Sequence, residues 1–141
     1  MPDDPQAPDT FRELSGGLLH DGYAVRFRAA GTSMEPAIRD GDWITVARVS
    51  PGEIRQGDVV FYACGRRTIA HRVIEVRSPA SPEPTFIVRG DAKGGSDAPV
   101  AASQVLGKVI AVERAAASCW LAAKRALHAL FSGVTPREGR G

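Results

Sequence analysis

Four side chains in this sequence could together perform nucleophilic chemistry: the hydroxyl of Ser33, the imidazole of His71 and the carboxylates of Asp91 and Asp97. A serine attacks a carbonyl at neutral pH only when a base takes its proton, and imidazole, whose pKa is about 6.5, suits that task. A carboxylate beside the imidazole fixes its tautomer. The sequence therefore contains one candidate nucleophile, one candidate base and two candidate orienting groups.

The local sequence around these residues also has simpler interpretations. Ser33 lies in Gly31-Thr-Ser-Met-Glu-Pro36, where a flexible glycine and a proline of fixed φ can hold a serine at a sharp turn but also compose an ordinary loop. His71 lies in an apolar stretch, where a histidine is commonly a packed residue. Asp91 and Asp97 lie in a loop of small residues, where they could be solvated charges. Residue types alone therefore give a candidate triad, and its geometry is a separate question.

Composition describes a single globular domain and excludes several classes. The 141 residues are 43% hydrophobic and 24% charged, with a net charge of +2, so we expect one core and no nucleic-acid partner. Cys64 and Cys119 belong to no Cys-x-x-Cys motif and lie near no spaced histidine, so we predict no metal site and no cofactor. Two free thiols in a reducing compartment are the favoured interpretation, and a disulfide stays open.

No segment of the sequence predicts a membrane span. The longest uncharged apolar stretch, near residues 115–123, is far shorter than the roughly 20 residues that a span requires. The N-terminus opens with acidic residues, unlike a signal peptide. We therefore expect a protein that is cytoplasmic or peripheral to a membrane.

The rest of the pattern predicts short strands separated by turns. Residues 1–9 predict a disordered tail, and Thr10 with Glu13 fits a capping box that would begin a short helix over about residues 10–20. Apolar or alternating segments predict strands at 23–29, 43–49, 59–63, 68–76, 85–89 and 105–112. Gly41-Asp42 and Gly57-Asp58 precede strands and predict turns. With no long crossover between strands, the predicted fold is all-β, a barrel or coiled sheet.

A different pattern begins at residue 115. Residues 115–132 predict a C-terminal amphipathic helix, followed by a disordered tail at 133–141. Its apolar face would carry Trp120, Ala123, Leu127, Leu130 and Phe131, and its other face Lys124, Arg125 and His128. This helix either docks on the sheet or binds a membrane surface or membrane-protein partner through Trp120–Phe131.

The order of six motifs resembles that of the type I signal peptidases. Along the chain they are Gly31-Thr-Ser33-Met34-x-Pro36, Gly41-Asp42, Gly57-Asp58-Val-Val, His71-Arg72-Val73, Gly90-Asp91 with Asp97, and Gly107-Lys108-Val109. The related LexA-like repressors share the Ser-Met and Gly-Asp-Val-Val motifs, but they and the ordinary bacterial signal peptidases have a lysine where this chain has His71. The resemblance covers about residues 23–112 and is greatest to the subgroup found in archaea, the endoplasmic reticulum and some bacteria.

This resemblance implies a serine endopeptidase domain over residues 10–114, with a signal-peptidase/LexA-like coiled β-sheet barrel. Ser33 would be the nucleophile, His71 the general base, and Asp91 or Asp97 the group that orients His71. The implied substrate is a peptide or preprotein cleaved after small residues. The implied substrate-binding residues are Gly31, Thr32, Met34 and Pro36.

The chain also departs from the family pattern. Ordinary bacterial members carry a hydroxyl as second oxyanion donor where this chain has Gly31, and family members usually have an N-terminal membrane span where this chain has a short predicted helix. Two other functions therefore stay open. One is a non-catalytic binding or regulatory module of the same fold. The other is a LexA-like self-cleaving regulator, although no DNA-binding segment is evident before Tyr23.

Overall fold

A computed structural model describes residues 6–92 and 94–114, in which one helix precedes seven strands. The elements are α1 (Gln6–His20), β1 (Val25–Arg28), β2 (Trp43–Ala47), β3 (Val59–Cys64), β4 (Arg67–Arg77), β5 (Thr85–Arg89), β6 (Val100–Ala101) and β7 (Val105–Glu113). Short 3-10 turns at Pro51–Glu53 and Ala102–Gln104 complete the order. The predicted C-terminal helix at 115–132 and the tail at 133–141 lie outside the described residues.

The seven strands form one sheet in the order β1-β2-β7-β3-β4-β5-β6, and every neighbouring pair is antiparallel. The predicted all-β fold class is confirmed. Each of the six predicted strands is present: β5 has the predicted bounds, and the other five differ by one or two residues at one or both ends. The sequence does not predict β6, because two residues are too short to show a period of two.

The helix begins four residues before its predicted start, at Gln6 rather than Thr10. The Thr10/Glu13 pair that resembled a capping box therefore lies inside the helix, and residues 6–9 of the predicted tail are helical. Pro8 falls in the first turn, where its missing N–H removes no intrahelical bond.

The core consists of two apolar clusters on the sheet. One lies around Phe86, Val88 and Val73, and the other joins α1 to the sheet through Leu19, which packs with strand residues such as Ile44 and Val46. Burial alternates along β2, where Ile44 and Val46 point inward. The second cluster also contains Met34 and Ile38 from the loop between β1 and β2, so the core holds the loop that carries Ser33.

The close approach of β7 to β2 explains Gly107, the glycine of the last of the six motifs. A Cβ at Gly107 of β7 would lie 2.6 Å from the Ala47 carbonyl oxygen and 2.7 Å from Val46 Cγ1. Real Cβ atoms do not approach other atoms so closely, so only glycine fits where β7 passes β2. Gly107, the glycine of the Gly107-Lys108-Val109 motif, is therefore a packing requirement of the sheet that carries the candidate site.

Candidate active site

His71 lies on the inner face of β4 and contacts two of the predicted site residues. Its ring is buried, with 4% of the residue exposed, because it shares the core-facing side of the strand with Val73. Nε2 lies 3.1 Å from Ser33 Oγ, and Nδ1 is hydrogen bonded to Asp97 Oδ2. The imidazole therefore joins a hydroxyl to a carboxylate through its two nitrogens, as a general base between a nucleophile and an orienting group requires.

Residues 29–42 connect β1 to β2 and present the serine; we call this segment the Ser33 loop. Gly31 has a φ of +99°, a conformation that glycine adopts without strain, and its N–H donates to Asp40 Oδ1 at 2.8 Å. Within the loop, the Glu35 N–H donates to the Thr32 carbonyl and the Ile38 N–H to the Met34 carbonyl. These bonds form a compact turn that holds the backbone on both sides of Ser33.

The ends of the Ser33 loop are tied together by backbone hydrogen bonds. The Ala29 N–H donates to the Asp42 carbonyl, and the Gly41 N–H donates to the Ala29 carbonyl, both at 2.8 Å. Asp42 Oδ2 accepts the Arg39 N–H, and Asp58 Oδ2 accepts the Arg55 N–H in the turn before β3. The predicted turn roles of Asp42 and Asp58 are therefore confirmed.

Asp97 is held against the imidazole by the strands beside it. Its N–H donates to the Val88 carbonyl at 2.9 Å, and the Tyr62 hydroxyl donates to Asp97 Oδ2 at 3.4 Å. Burial, together with the charge of Asp97, raises the pKa of Tyr62 far above its ordinary value. The Tyr62 phenol is therefore protonated at neutral pH and can donate to the carboxylate.

Asp91 lies in a different environment from Asp97. Both of its carboxylate oxygens accept hydrogen bonds from the Arg72 guanidinium, at 2.9 and 2.8 Å, and Arg72 also donates to the Gly57 carbonyl. These hydrogen bonds from Arg72 hold the pKa of Asp91 below its ordinary value. Consecutive residues of a strand point to opposite faces. Arg72 directly follows His71 in β4, so the ion pair between Arg72 and Asp91 lies on the side of β4 away from His71.

The structure thus separates the two candidate carboxylates. Asp97 is hydrogen bonded to His71, and Asp91 is not. Instead, Asp91 supports the Ser33 loop through its backbone: its N–H lies 3.4 Å from Met34 Sδ, and the next N–H, that of Ala92, donates to the Ser33 carbonyl at 2.9 Å.

The four residues predicted to bind substrate belong to one turn but differ in exposure. Gly31, Thr32 and Pro36 are exposed beside Ser33, whereas Met34 is buried beneath the turn in the second core cluster. The Gly31 N–H is already bonded to Asp40, so it does not serve as a second oxyanion donor in this arrangement. Within the described part of the chain, the Ser33 N–H has no protein acceptor, which leaves it available to a substrate oxygen.

Sequence reasoning missed two residues that shape this site. Tyr62 lies in an apolar strand, where nothing distinguishes a tyrosine that donates to an aspartate from one that packs. Arg114, which follows β7, contacts Asp42 and Pro36 of the Ser33 loop. These residues are distant in the chain, and no motif indicates the contact.

The structure bears on two further predictions, the state of the cysteines and the membrane span. Cys64 is a free, exposed thiol, and Cys119 lies outside the described residues. Among the helices that the structure describes, none combines the length and the apolar character needed to cross a bilayer.

The structure is an antiparallel all-β domain in which a serine hydroxyl lies within hydrogen-bond distance of a strand histidine. The chain belongs to the Peptidase S24-like family, whose sequence profile matches residues 3–80. That range includes Ser33 and His71 and ends before Asp91 and Asp97. At this level the match supports a peptidase or a LexA-like regulator. A search of curated proteins found no matching sequence.

Proposed function

We propose that this domain is a serine endopeptidase, similar to the signal peptidases that use histidine, in which Ser33 is the nucleophile, His71 the general base and Asp97 the group that orients His71. The observation that carries the proposal is the continuous contact from Asp97 through both His71 nitrogens to Ser33 Oγ. Neither nitrogen of His71 is left for another role.

In the proposed reaction, His71 Nε2 takes the Ser33 hydroxyl proton while Oγ bonds to the carbonyl carbon of the scissile peptide. The resulting oxyanion accepts the Ser33 N–H, and the Asp97 carboxylate stabilises the imidazolium that forms. His71 then gives its proton to the departing amine as the C–N bond breaks, which leaves an ester on Ser33. A water molecule gives a proton to His71 as its oxygen bonds to the ester carbon. The C–Oγ bond then breaks, His71 returns the proton to Ser33 Oγ, and the acid product leaves.

The proposed substrate is an extended peptide or preprotein segment with a small residue before the cleaved bond. The exposed backbone of Gly31 and Thr32 and the ring of Pro36 border Ser33 and are proposed to contact it. Support for the small residue comes from the motif resemblance, together with the position of Met34, whose side chain fills the space under the turn.

A mixture of synthetic peptides that vary only at the residue before one bond tests this proposal. We expect the wild-type protein to cleave after Ala, Gly or Ser in preference to Leu or Phe, and Ser33→Ala to abolish cleavage without altering the circular dichroism spectrum. Cleavage by Ser33→Ala at the wild-type rate would disprove the assignment. Absence of any turnover by the wild-type protein would favour the non-catalytic module instead.

Self-cleavage is a second candidate function, favoured by the match to a family that includes LexA-like regulators. A self-cleaving regulator would use the same serine on a bond of its own chain. Incubation of the purified full-length chain, followed by intact-mass measurement, distinguishes the two. We expect it to stay full length while it cleaves added peptides, and two complementary fragments that are absent from Ser33→Ala would support self-cleavage.

The segment Trp120–Phe131 is proposed to bring the domain to an anionic membrane surface or to a membrane protein, on the basis of its cationic and apolar residues. Cosedimentation with vesicles tests the lipid part of this proposal. We expect binding to vesicles that contain phosphatidylglycerol, loss of binding in 0.5 M salt (about a 4 Å Debye length), and weaker binding by Lys124→Glu/Arg125→Glu. Binding that is unchanged in this variant would contradict it.

A further inference from the structure

Arg114 connects the end of β7 to the Ser33 loop. It is the first residue after β7, and its guanidinium donates from Nη1 to Asp42 Oδ2 at 2.7 Å and from Nη2 to the Pro36 carbonyl at 3.0 Å. Asp42 closes the loop at the start of β2, and Pro36 lies three residues beyond Ser33. One planar side chain therefore bridges the middle and the end of the loop.

The burial of Asp42 makes this contact consequential. The Asp42 side chain is 4% exposed and that of Arg114 is 52% exposed. A buried carboxylate is costly unless it is paired, and the Arg39 N–H alone supplies a dipole rather than a charge. The guanidinium therefore neutralises a charge at the base of the loop while its other nitrogen fixes the Pro36 peptide.

The core and Arg114 hold the Ser33 loop from opposite sides. Met34 and Ile38 anchor it from within the second cluster, and Arg114 binds the carbonyl of Pro36 between them. Ser33 directly precedes this clamped segment, and its own carbonyl is held by the Ala92 N–H. Small displacements of a reacting group cost large factors in rate, so the clamp bears directly on the distance from Ser33 Oγ to His71 Nε2.

We propose that Arg114 is a positioning residue, whose guanidinium keeps the Ser33 loop in the arrangement that places Ser33 Oγ within reach of His71. This inference rests on the proposed peptidase function of Ser33. Arg114 touches neither Ser33 nor His71, and it acts through Pro36 and Asp42.

Arg114→Gln is the direct test, and Arg26→Gln is its matched control. Arg26 donates to Glu113 at 2.7 Å, so the control removes an ion pair of equal length from the adjacent residue of β7 without touching the loop. It also removes the contact of the Arg26 guanidinium with the Trp43 ring, which lies in β2. We expect Arg114→Gln to lower kcat about tenfold or more with KM unchanged, and Arg26→Gln to leave both at wild-type values. Arg114→Lys, which can keep the bond to Asp42, should recover part of kcat.

Hydrogen exchange supplies a readout that does not depend on turnover. The amides of Glu35 and Ile38 are hydrogen bonded inside the loop, and we expect them to exchange faster in Arg114→Gln but not in Arg26→Gln. If Arg114→Gln does not fold, Arg114→Gln/Asp42→Asn removes the unpaired charge, and the loss of kcat and of protection should persist.

The outcomes separate the two proposals. A wild-type protein without turnover would overturn the peptidase function, while loop exchange would still report whether Arg114 is a clamp. Turnover by the wild-type protein, together with wild-type kcat in Arg114→Gln, would overturn the positioning role. So would a fall in kcat with unchanged exchange at Glu35 and Ile38.

Discussion

His71 Nε2 lies 3.1 Å from Ser33 Oγ, although 38 positions separate the two residues in the chain. The contact depends on two separate features of the folded chain. The β3–β4 pairing places His71 opposite Val60 on the core-facing side of the sheet. Meanwhile, Met34 and Ile38 bind the Ser33 loop to the second cluster. The hydroxyl is therefore brought to the histidine by core packing, and the chemistry that we propose depends on the stability of that packing.

The two carboxylates should differ sharply in their effect on catalysis. We expect Asp97→Asn to lower kcat by about 10³-fold or more, because an amide at this position favours the wrong tautomer of His71. Asp91→Asn is the matched control, since it removes a carboxylate from the same loop without touching the imidazole. Steady-state kinetics of both variants on one peptide would measure the difference. An equal loss of kcat in the two variants would contradict the separation of roles.

The ion pair between Arg72 and Asp91 should make stability depend on pH. Because the pKa of Asp91 is lowered in the folded protein, its contribution is present above the unfolded value of about 3.9 and is lost as pH falls through the folded value. We expect the melting temperature of the wild type to exceed that of Asp91→Asn near neutral pH, and the gap to close in strong acid. A thermal melt series across that range measures this gap. A gap that is independent of pH would show that the charge of Asp91 contributes nothing.

How much of this site the sequence could predict depends on how each residue is placed. Ser33 and His71 lie in motifs whose order resembles a known family, so their pairing could be expected. The sequence does not predict which of Asp91 and Asp97 orients His71, because this depends on which face of β4 each loop carboxylate reaches. That face is decided by Arg72, whose guanidinium binds Asp91.

In the fold, too, local sequence patterns predict strands and turns, but they do not predict contacts between residues that are distant in the chain. Clear alternation predicts the longer strands, and local residue types predict the turns at Gly41-Asp42 and Gly57-Asp58. Two-residue β6 has no period to detect, and the start of α1 was misplaced because Thr10 and Glu13 have capping spacing within a longer helix. Arg114 and Tyr62 act on residues 72 and 35 positions away, where no local pattern can indicate a contact.

Gly107 offers a test of the sheet itself. We expect Gly107→Ala to lower the free energy of unfolding by about 1–3 kcal/mol, because the added methyl would overlap the Ala47 carbonyl oxygen and Val46 Cγ1. Gly52→Ala is the control, since a Cβ there meets no atom within 4 Å, and its effect should stay within about 0.5 kcal/mol. Urea denaturation of the two variants gives the comparison. Equal free energies of unfolding for the two variants would contradict the tight contact between β2 and β7 at Gly107.

The identity of the nucleophile is tested most directly by the covalent intermediate. The wild-type protein would be mixed with the p-nitrophenyl ester of N-acetylalanine, quenched in acid within milliseconds, and digested for tandem mass spectrometry. We predict an N-acetylalanyl ester on Ser33, a burst of p-nitrophenol equal to the enzyme concentration, and neither in Ser33→Ala. An adduct on another residue, or the same burst from Ser33→Ala, would contradict the assignment of Ser33 as the attacking group.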